Sequence, residues 1–481
     1  MSQFKLVNGR KIFGPGAEVR FSKQQLAFLA IIPVGMIAMG ALLQFNLQQY
    51  LQMFVAVCTC FFGVMFCFSL VAAINGMRED SMIEVTEAEC STLADFPFIT
   101  VLVPSFKEAK IARQIVRSLS ALKYPTDCFE VIVVLEEGDD ATINAYSSID
   151  LPWNFQVVVR PTGGIMTKPA AMNYLLEELY ISPQSEITVV FDTEDMPDVW
   201  QLHKAVIAFQ KAWEQDERIV CIQARLAFSQ NANKNWLTRM LNLDYLQHFG
   251  LTLPGLSRLG FISPLGGTSN YILTRILMNV GGWDPHNVTE DLDLAVRFAR
   301  LKYRIRVLNS VTAEEAVTSV GALFGQRSRW NKGGIQTFFR HMRNPARLYR
   351  DLGFVGFFSF QLVVGAPLVL ALINPIFWGL TATYAITQSE FIKSLYPPLV
   401  FYIAMFCFSA GNYMYIYMLK TSAFKTKQYV NVIFGLFAPV YWALLSIATY
   451  KALFEFLASG QTARKWSKTE HVGNIGEEAA L

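Results

Sequence analysis

The stretch "EITVVFDTED", residues 186–195, is a short β-branched run that ends in a group of acids. Its apolar half is typical of a buried strand. Asp192, Glu194 and Asp195 follow, and carboxylates at one strand end repel each other unless a cation lies between them. The stretch therefore predicts a strand of an α/β sheet with a divalent metal site. A solvated turn that caps the next helix is the alternative interpretation.

Three similar runs precede this strand, and helical stretches separate them. The runs are 98–106, 129–137 and 155–160, and helices are predicted over 108–123 and 168–180. Strands that alternate with helices imply right-handed βαβ units and a mostly parallel sheet. Ligands bind at the carboxyl ends of the strands in such a sheet, so the acids that follow each run are candidate site residues. These acids are Glu108, Glu136, Glu137, Asp192, Glu194 and Asp195.

Long apolar segments flank the α/β region. The chain has 481 residues, of which 16% are charged, whereas roughly a quarter are charged in a typical soluble protein. Each of four uncharged runs is long enough to cross a bilayer as a helix. These runs are 25–45, 51–75, 361–385 and 396–419. A fifth run, 431–458, contains Pro439, Lys451 and Glu455 and fits a span, a re-entrant segment or an interfacial helix. We expect the interfacial helix, because it keeps the basic tail on the cytoplasmic side.

The distribution of basic residues predicts a multi-pass protein of the plasma or inner membrane with a cytoplasmic central domain. The expected segments are a cytosolic N-terminus with two membrane helices (1–76), the α/β domain with an interfacial helix (77–351), C-terminal membrane and interfacial helices (352–458) and a cytosolic tail (459–481). The basic clusters beside apolar runs fit anionic lipid, so nucleic-acid binding is not expected. The seven cysteines show neither zinc spacing nor a disulfide framework.

Two further motifs lie within the α/β region. "NVTEDLDLAVR" (287–297) is typical of a capped helix, and its alternative role is to present Asp291 as a general base. "SPLGGTSNY" (263–271) has a glycine pair that fits either a close approach of the backbone to a ligand or a tight turn. The second motif lacks the lysine of a phosphate loop, which disfavours a Walker-type nucleotide hydrolase.

"GQRSRWNKGG" (325–334) places two arginines and a tryptophan just before the apolar final third. Arg329 offers a planar fork of donors to diphosphate oxygens, and Trp330 offers an apolar wall for a sugar ring. The alternative is a basic collar at the membrane surface. Because this motif belongs to the same domain as the acidic strand ends, together they predict a cation-bridged diphosphate site.

Taken together and in chain order, the motifs of this sequence resemble those of the membrane-embedded family-2 glycosyltransferases, which include cellulose, curdlan, hyaluronan and mannan synthases. The motifs are "VPSFKE", "LEEGDD", "TKPAAMN", "FDTED", "LGGTSN", "VTED" and "QRSRW". The similarity covers residues 95–340 and extends in layout to the flanking spans. It implies a cytosolic α/β domain of the GT-A fold, which binds a nucleoside diphosphate sugar, inserted between transmembrane helices.

The resemblance also implies a role for individual residues. Donor or nucleotide binding falls to Ser105, Glu108, Glu136, Lys168, Asp192 and Arg329. Mg²⁺ or Mn²⁺ would be held by Asp192 and Glu194 of the DxD motif, or by the adjoining Asp195. Asp291 matches the catalytic base, with Glu290 beside it. Acceptor binding falls to Gln326, Trp330, Gly267 and Thr268. A loose match in the tail suggests that Trp466, Lys468 and Thr469 cover the loaded nucleotide.

The implied function is an inverting, processive transfer that polymerises a β-linked polysaccharide and moves it across the membrane. The favoured product is a β-glucan from UDP-glucose; the partners are a UDP-sugar, or a GDP-sugar instead, the growing glycan and the bilayer. The first alternative is a non-processive transferase that adds one sugar to a lipid or lipid-linked acceptor. A remote alternative is a nucleotide-binding transporter, which the scarcity of polar residues in the predicted spans disfavours.

Overall fold

The computed structural model describes residues 9–42, 46–178, 180–228 and 231–458. Its central feature is one sheet of eight strands in the order β3-β2-β1-β4-β7-β6-β8-β5. The strands are β1 (Ile99–Ser105), β2 (Phe129–Glu136), β3 (Phe155–Arg160), β4 (Ile187–Val190), β5 (Met196–Pro197), β6 (Ile219–Phe228), β7 (Asn270–Leu273) and β8 (Arg304–Glu314).

The first half of the sheet matches the sequence prediction. The strands β1 to β4 pair in parallel, and all four begin and end close to the predicted bounds. The second half differs, because β7 runs antiparallel between β4 and β6. The strand β8 then pairs in parallel with β6 and antiparallel with β5. The sheet is therefore mixed rather than mostly parallel, and its strands after β4 had not been predicted.

Helices cover both faces of the sheet, so alternate residues of one strand enter two different hydrophobic clusters. In β1, Val101 and Val103 pack with Leu202 on one side. Leu102 packs with Leu294 on the other side. This period of two is what a strand buried on both faces requires. The arrangement leaves the carboxyl ends of β1 and β4 as the edge at which polar side chains can gather.

Helices precede the sheet, connect its strands and continue through the apolar final third of the chain. In chain order, the α-helices are Gly9–Phe13, Lys23–Leu42, Leu47–Gly76, Glu87–Ser91, Ala112–Ser120, Asp140–Ser147, Lys168–Glu177, Gln201–Trp213, Trp236–Gln247, Leu253–Arg258, Thr274–Asn279, Glu290–Arg300, Val320–His341, Pro345–Phe360, Ala366–Thr387, Glu390–Ser394, Pro398–Lys425 and Ala438–Ala458. Glu79–Ser81 and Tyr429–Phe437 are 3₁₀ helices, whereas His248–Thr252 and Gln361–Gly365 are π-helical turns.

Within the described part of the chain, four helical segments are long and apolar enough to cross a membrane. They are Leu47–Gly76, Pro345–Thr387, Pro398–Lys425 and Tyr429–Ala458. Helix Lys23–Leu42 occupies most of the first predicted span, whose residues 43–45 lie outside the described residues. The length and composition of Tyr429–Ala458 allow it to span, which is one of the positions left open for the run 431–458.

The segment after the arginine–tryptophan motif, residues 335–350, belongs to two helices. The first helix ends at His341, and the second, Pro345–Phe360, begins after Asn344. The Asn344 side chain accepts a hydrogen bond from the Arg347 backbone amide at 2.9 Å. A proline at the first helical position and a capping asparagine before it are a strong start signal. Gly353, with φ of 73°, kinks the second helix next to the predicted domain boundary at 351–352.

The candidate membrane helix Leu47–Gly76 docks closely on the α/β domain. A Cβ on Gly76 would lie 1.8 Å from the Leu251 carbonyl oxygen, and one on Gly255 would lie 1.9 Å from the Ala72 carbonyl oxygen. These two glycines therefore let the backbones of helices Leu47–Gly76 and Leu253–Arg258 touch.

Candidate active site

A cavity of about 540 Å³ lies at the carboxyl ends of β1 and β4. It brings together Asp192 from the loop after β4, Asp291 from the start of helix Glu290–Arg300, and Arg329 from helix Val320–His341. The predicted site residues that line it are Glu108, Lys168, Asp192, Glu194, Gly267, Glu290, Asp291, Gln326, Arg329 and Trp330.

Other predicted site residues do not line the cavity. Ser105 is completely buried at the end of β1. Glu136 is also buried and pairs with Arg160 at 2.9 Å. Burial raises the pKa of Glu136, although the charge of Arg160 opposes this effect. Lys468, like Trp466 and Thr469, lies outside the described residues.

Hydrogen bonds of Asp195 and Thr268 stabilise the acidic loop that follows β4. The carboxylate of Asp195 accepts a hydrogen bond from the Asp192 amide at 2.7 Å and another from the Thr268 hydroxyl. Asp195 is fully buried, and this burial, with the charges of Asp192 and Glu194, raises its pKa well above the usual value. Asp195 therefore shapes the loop, while Asp192 and Glu194 face the cavity.

Lys168 supplies a positive charge beside these acids. It begins helix Lys168–Glu177, and its ammonium group donates to Asp192 Oδ1 at 2.5 Å and to the Gly267 carbonyl oxygen at 3.0 Å. Burial alone would lower the pKa of Lys168, but the negative charges of Asp192, Glu290 and Asp291 raise it overall. Lys168 is thus a fixed cation between the acidic loop and the glycine motif.

Glu290 and Asp291 occupy the first turn of their helix and face the cavity. Burial is the main reason that the pKa of Asp291 is raised to about 6 and that of Glu290 to about 7. Gly267 has φ of 81°, and a Cβ there would lie 3.2 Å from Asp291 Oδ2. A carboxylate that titrates near neutral pH is suited to accept a proton from a hydroxyl group.

The acids of the cavity fit a divalent ion that is shared with a substrate. Asp192 and Glu194 line the cavity together with Glu314, from the end of β8, which had not been predicted. Burial and the charges of Asp195, Glu194 and Asp192 raise the pKa of Glu314 well above its usual value. Among the described residues, no group of three His, Cys, Asp or Glu side chains could hold a metal ion by itself. Mg²⁺ commonly uses one or two carboxylates and completes its shell with water and substrate phosphates.

Helix Val320–His341 brings Gln326, Arg329 and Trp330 to the cavity, and the Ser319 hydroxyl caps its first turn. Burial lowers the pKa of the Arg329 guanidinium, while the charges of Glu290, Asp192 and Glu194 oppose this shift. The side-chain oxygen of Gln326 is buried and accepts no hydrogen bond within the described residues. These side chains offer a donor fork, an acceptor atom and an aromatic ring to a bound molecule.

Close packing joins the two helices that carry the site. A Cβ on Gly333 would lie 2.3 Å from Thr289 Oγ1, so a glycine is needed where helix Val320–His341 passes the start of helix Glu290–Arg300. The side-chain amide of Asn287 also donates a hydrogen bond to the Thr337 hydroxyl at 2.8 Å. The distance between the predicted base and the arginine–tryptophan motif is therefore set by direct contact.

A buried ionic cluster behind Asp291 was missed in the sequence. Asp293 lies 2.8 Å from Arg297, 2.5 Å from Arg340 and 3.0 Å from His341. Burial alone would raise the pKa of Asp293, but the two arginines and His341 hold it far below its usual range. The spacing of Asp293 and Arg297, four residues apart, is a local signal of an ion pair. The partners from the next long helix have no such signal.

The segment 244–249 was also missed. Helix Trp236–Gln247 passes into the π-helical turn His248–Thr252 at this point. The side chains that line the cavity from this segment are Asp244, Tyr245, Gln247, His248 and Phe249. A lone aspartate within the apolar run "MLNLDYLQHFGLTL" (240–253) is the sequence signal that could have identified it.

Comparison with known proteins agrees with the geometry of the site. Residues 97–333 match the family model described as "Glycosyltransferase like family 2". This part of the chain is a family-2 glycosyltransferase domain. The mannosyltransferase from Pyrobaculum calidifontis, solved in complex with GDP-Man and Mn²⁺, resembles this glycosyltransferase with a TM-score of 0.54 and 17% identity. The match covers 85% of this chain and 100% of that chain and confirms the predicted fold class.

Two curated relatives differ in the acceptor that their names give. The glycosyltransferase is 30% identical over 251 residues to a beta-monoglucosyldiacylglycerol synthase of Trichormus variabilis, and this match covers 50% of each chain. It is 24% identical over 408 residues to "Probable glucomannan 4-beta-mannosyltransferase 7" of Oryza sativa subsp. japonica, which covers 80% of this chain and 64% of the relative. The chain thus spans half of the first relative and less than two thirds of the second.

Proposed function

We propose that this family-2 glycosyltransferase moves a hexosyl group from a nucleoside diphosphate sugar to a hydroxyl acceptor with inversion, and that it extends a β-linked glycan repeatedly. The observation that carries the proposal is that Asp192, Asp291 and Arg329 line one cavity. UDP-glucose is the proposed donor, with a GDP-sugar as the alternative. The proposed product is a β-glucan that passes from a cytoplasmic catalytic domain across the membrane.

The proposed reaction is a single displacement. Asp291 takes the proton of the acceptor hydroxyl, whose oxygen bonds to the anomeric carbon while the bond from that carbon to the diphosphate oxygen breaks. Attack opposite the leaving group inverts the configuration. Lys168 and Arg329 stabilise the negative charge of the departing diphosphate. Mg²⁺ or Mn²⁺, held by Asp192 and Glu194 with the phosphates, would neutralise part of the same charge.

The second candidate is the transfer of one sugar to a lipid acceptor. Two observations favour it: the name of the 30% identical relative, and the presence in the cavity lining of Val363, from the apolar helical segment Pro345–Thr387. Trp330 in the same lining supports the glycan acceptor, since a sugar ring stacks well on an indole.

The purified full-length enzyme in lipid nanodiscs tests both candidates. Its diphosphate release would be followed with UDP-glucose, UDP-N-acetylglucosamine and GDP-mannose, each with cellotetraose or with dioleoylglycerol. A polymer that resists lipid extraction and is cut by a β-glycan hydrolase supports the synthase. A single glycolipid supports the second candidate instead. If no donor yields either product with Mg²⁺ or Mn²⁺ present, both proposals are wrong.

A further inference from the structure

A polar junction lies where the cavity meets two of the candidate membrane helices. It consists of Asp244, Arg327, Tyr415 and Tyr441, which come from four different helices. Arg327 donates to Asp244 at 2.9 Å and to the Tyr441 hydroxyl at 3.0 Å; the hydroxyls of Tyr441 and Tyr415 each donate to Asp244 at 3.1 Å. We call these four residues the Asp244 junction.

The junction is mostly shielded from water. The Asp244 and Arg327 side chains are 19% and 13% exposed, and Tyr441 is completely buried. Removing two charges from water is unfavourable unless each ion has good partners. Both carboxylate oxygens of Asp244 accept hydrogen bonds, and Arg327 Nη2 donates to Asp244 and to Tyr441, whereas the buried Arg327 Nε has no partner within the described residues. Such a network holds the Arg327 guanidinium in one position.

Arg327 in turn contacts the tryptophan of the cavity. The guanidinium carbon lies 4.5 Å from the centre of the Trp330 ring, a cation–π contact. Arg327 and Trp330 are three residues apart and share a face of their helix, whereas Arg329 is two residues from Arg327 and lies on a different face. The ring of Tyr245, next to Asp244, lies 6.4 Å from the Trp330 ring. The position of Trp330 thus depends on the junction, whereas Arg329 leaves a different face of the helix.

We propose that Asp244 is a positioning residue for the acceptor: through Arg327 it sets the orientation of Trp330, and through Tyr415 and Tyr441 it links that orientation to the membrane helices. The inference rests on the proposed function, because it takes Trp330 to be the surface on which the acceptor lies. It predicts an effect on the acceptor alone. On the donor side, Lys168 donates to Asp192 and to the Gly267 carbonyl oxygen. Within the described residues, neither Lys168 nor Asp192 is hydrogen-bonded to the junction.

The test compares the variants Asp244→Asn and Tyr415→Phe with a matched control, Asp216→Asn. Asp216 also pairs with an arginine, Arg218, at 2.7 Å, but lies in the turn before β6. Each enzyme in nanodiscs is given UDP-glucose with cellotetraose and, in parallel, with dioleoylglycerol. The KM for each substrate, and the hydrolysis of UDP-glucose without an acceptor, are measured separately.

We expect Asp244→Asn to raise the acceptor KM, or to lower kcat/KM for the acceptor, on the order of tenfold or more, because a misplaced binding surface loses orientation. The donor KM and acceptor-free hydrolysis should stay within about twofold of the wild type, as for the control. Tyr415→Phe keeps the ion pair and should show a smaller change of the same kind. Arg327→Lys keeps the positive charge but loses the planar guanidinium, so its acceptor use should also be below that of the wild type.

Two results would overturn the inference. One is an unchanged acceptor KM in Asp244→Asn and Tyr415→Phe. The other is an equal loss of acceptor transfer and donor hydrolysis in Tyr415→Phe, the mildest variant, since a purely structural role would affect both. Failure of the proposed function would look different, because the wild-type enzyme itself would then transfer no glucose to cellotetraose.

Discussion

Asp291 and Asp293 lie two residues apart on helix Glu290–Arg300, yet their surroundings have opposite effects. Two residues are about 200° apart around a helix, so the side chains leave on nearly opposite sides. Asp291 faces the cavity, and burial raises its pKa to about 6. Asp293 faces Arg297, Arg340 and His341, which hold its pKa far below the usual range despite burial. The number of cations within reach therefore separates a carboxylate that can exchange a proton from one that holds helices together.

Removing the cavity-facing carboxylate should have the largest effect. Asp291→Asn leaves the shape of the side chain unchanged but removes the proposed base. We expect transfer to fall by about 10³-fold, within the range of general-base catalysis. Binding of UDP, measured by calorimetry, should stay near the wild-type value, with Asp216→Asn as the control for a lost negative charge. Retained transfer by Asp291→Asn would show that another group takes the proton.

Removing the inward-facing carboxylate should affect stability instead. Asp293→Asn leaves Arg297 and Arg340 buried without a full counter-charge, and loss of one partner of a buried ion pair costs about 3–5 kcal/mol. Urea unfolding followed by the fluorescence of the α/β domain measures this loss. Asp216→Asn breaks a more exposed pair, with an Arg218 side chain that is 52% exposed, and should cost far less because water screens the two charges. An equal, small loss in both variants would contradict the structural role of Asp293.

Disturbing the contact between the two site helices should have an intermediate effect on both stability and transfer. Gly333→Ala places a methyl group against Thr289, where a Cβ would lie 2.3 Å from the hydroxyl oxygen. We expect a destabilisation of about 1–3 kcal/mol, as for other overpacked contacts, and lower transfer because Asp291 and Arg329 move apart. The matched control is Gly321→Ala on the same helix, where a Cβ meets no atom within 4 Å. That change should be neutral or slightly stabilising.

If Gly333→Ala lowers stability but leaves kcat and both KM values unchanged, the contact matters for folding only. If it lowers transfer without any change in the unfolding midpoint, the helices have separated locally. The proposal requires both quantities to fall, because the same contact holds the helices and sets the distance across the cavity.

The sequence predicted the donor side of the site better than the side next to the membrane helices. Asp192 and Glu194 could be placed because parallel strands bring their carboxyl ends to one edge. The junction of Asp244 could not, since its partners Tyr415 and Tyr441 are 171 and 197 residues away. The fold shows the same division. The strands β1 to β4 are nearly continuous apolar runs, whereas Asn309, Ser310 and Thr312 interrupt the apolar run of β8.

The smallest change, a shift of pH, tests both sides of the helix in one experiment. A base acts when deprotonated, so the raised pKa of Asp291, about 6, predicts that transfer falls about tenfold per unit below pH 6. The stability contributed by Asp293 has the opposite dependence. Its depressed pKa means that this stability is complete above the usual carboxyl pKa, and it is lost only as the pH falls through the much lower value of the folded state.

Burial lowers the pKa of His341 to about 4, so it stays neutral in the folded protein at pH 5. Because a free histidine binds a proton below about pH 6.5, His341 reduces stability as the pH falls from that value. The Arg300 guanidinium can only donate, so His341 Nδ1 accepts its hydrogen bond and Nε2 donates to Asp293. Between pH 7 and 5 the enzyme should lose transfer without a fall in melting temperature, because the raised pKa values of Asp291 and Glu290 mean that their protonation favours folding and offsets the effect of His341. If transfer and melting temperature fell together, the protons would be entering the inward-facing cluster, and the contrast between Asp291 and Asp293 would not hold.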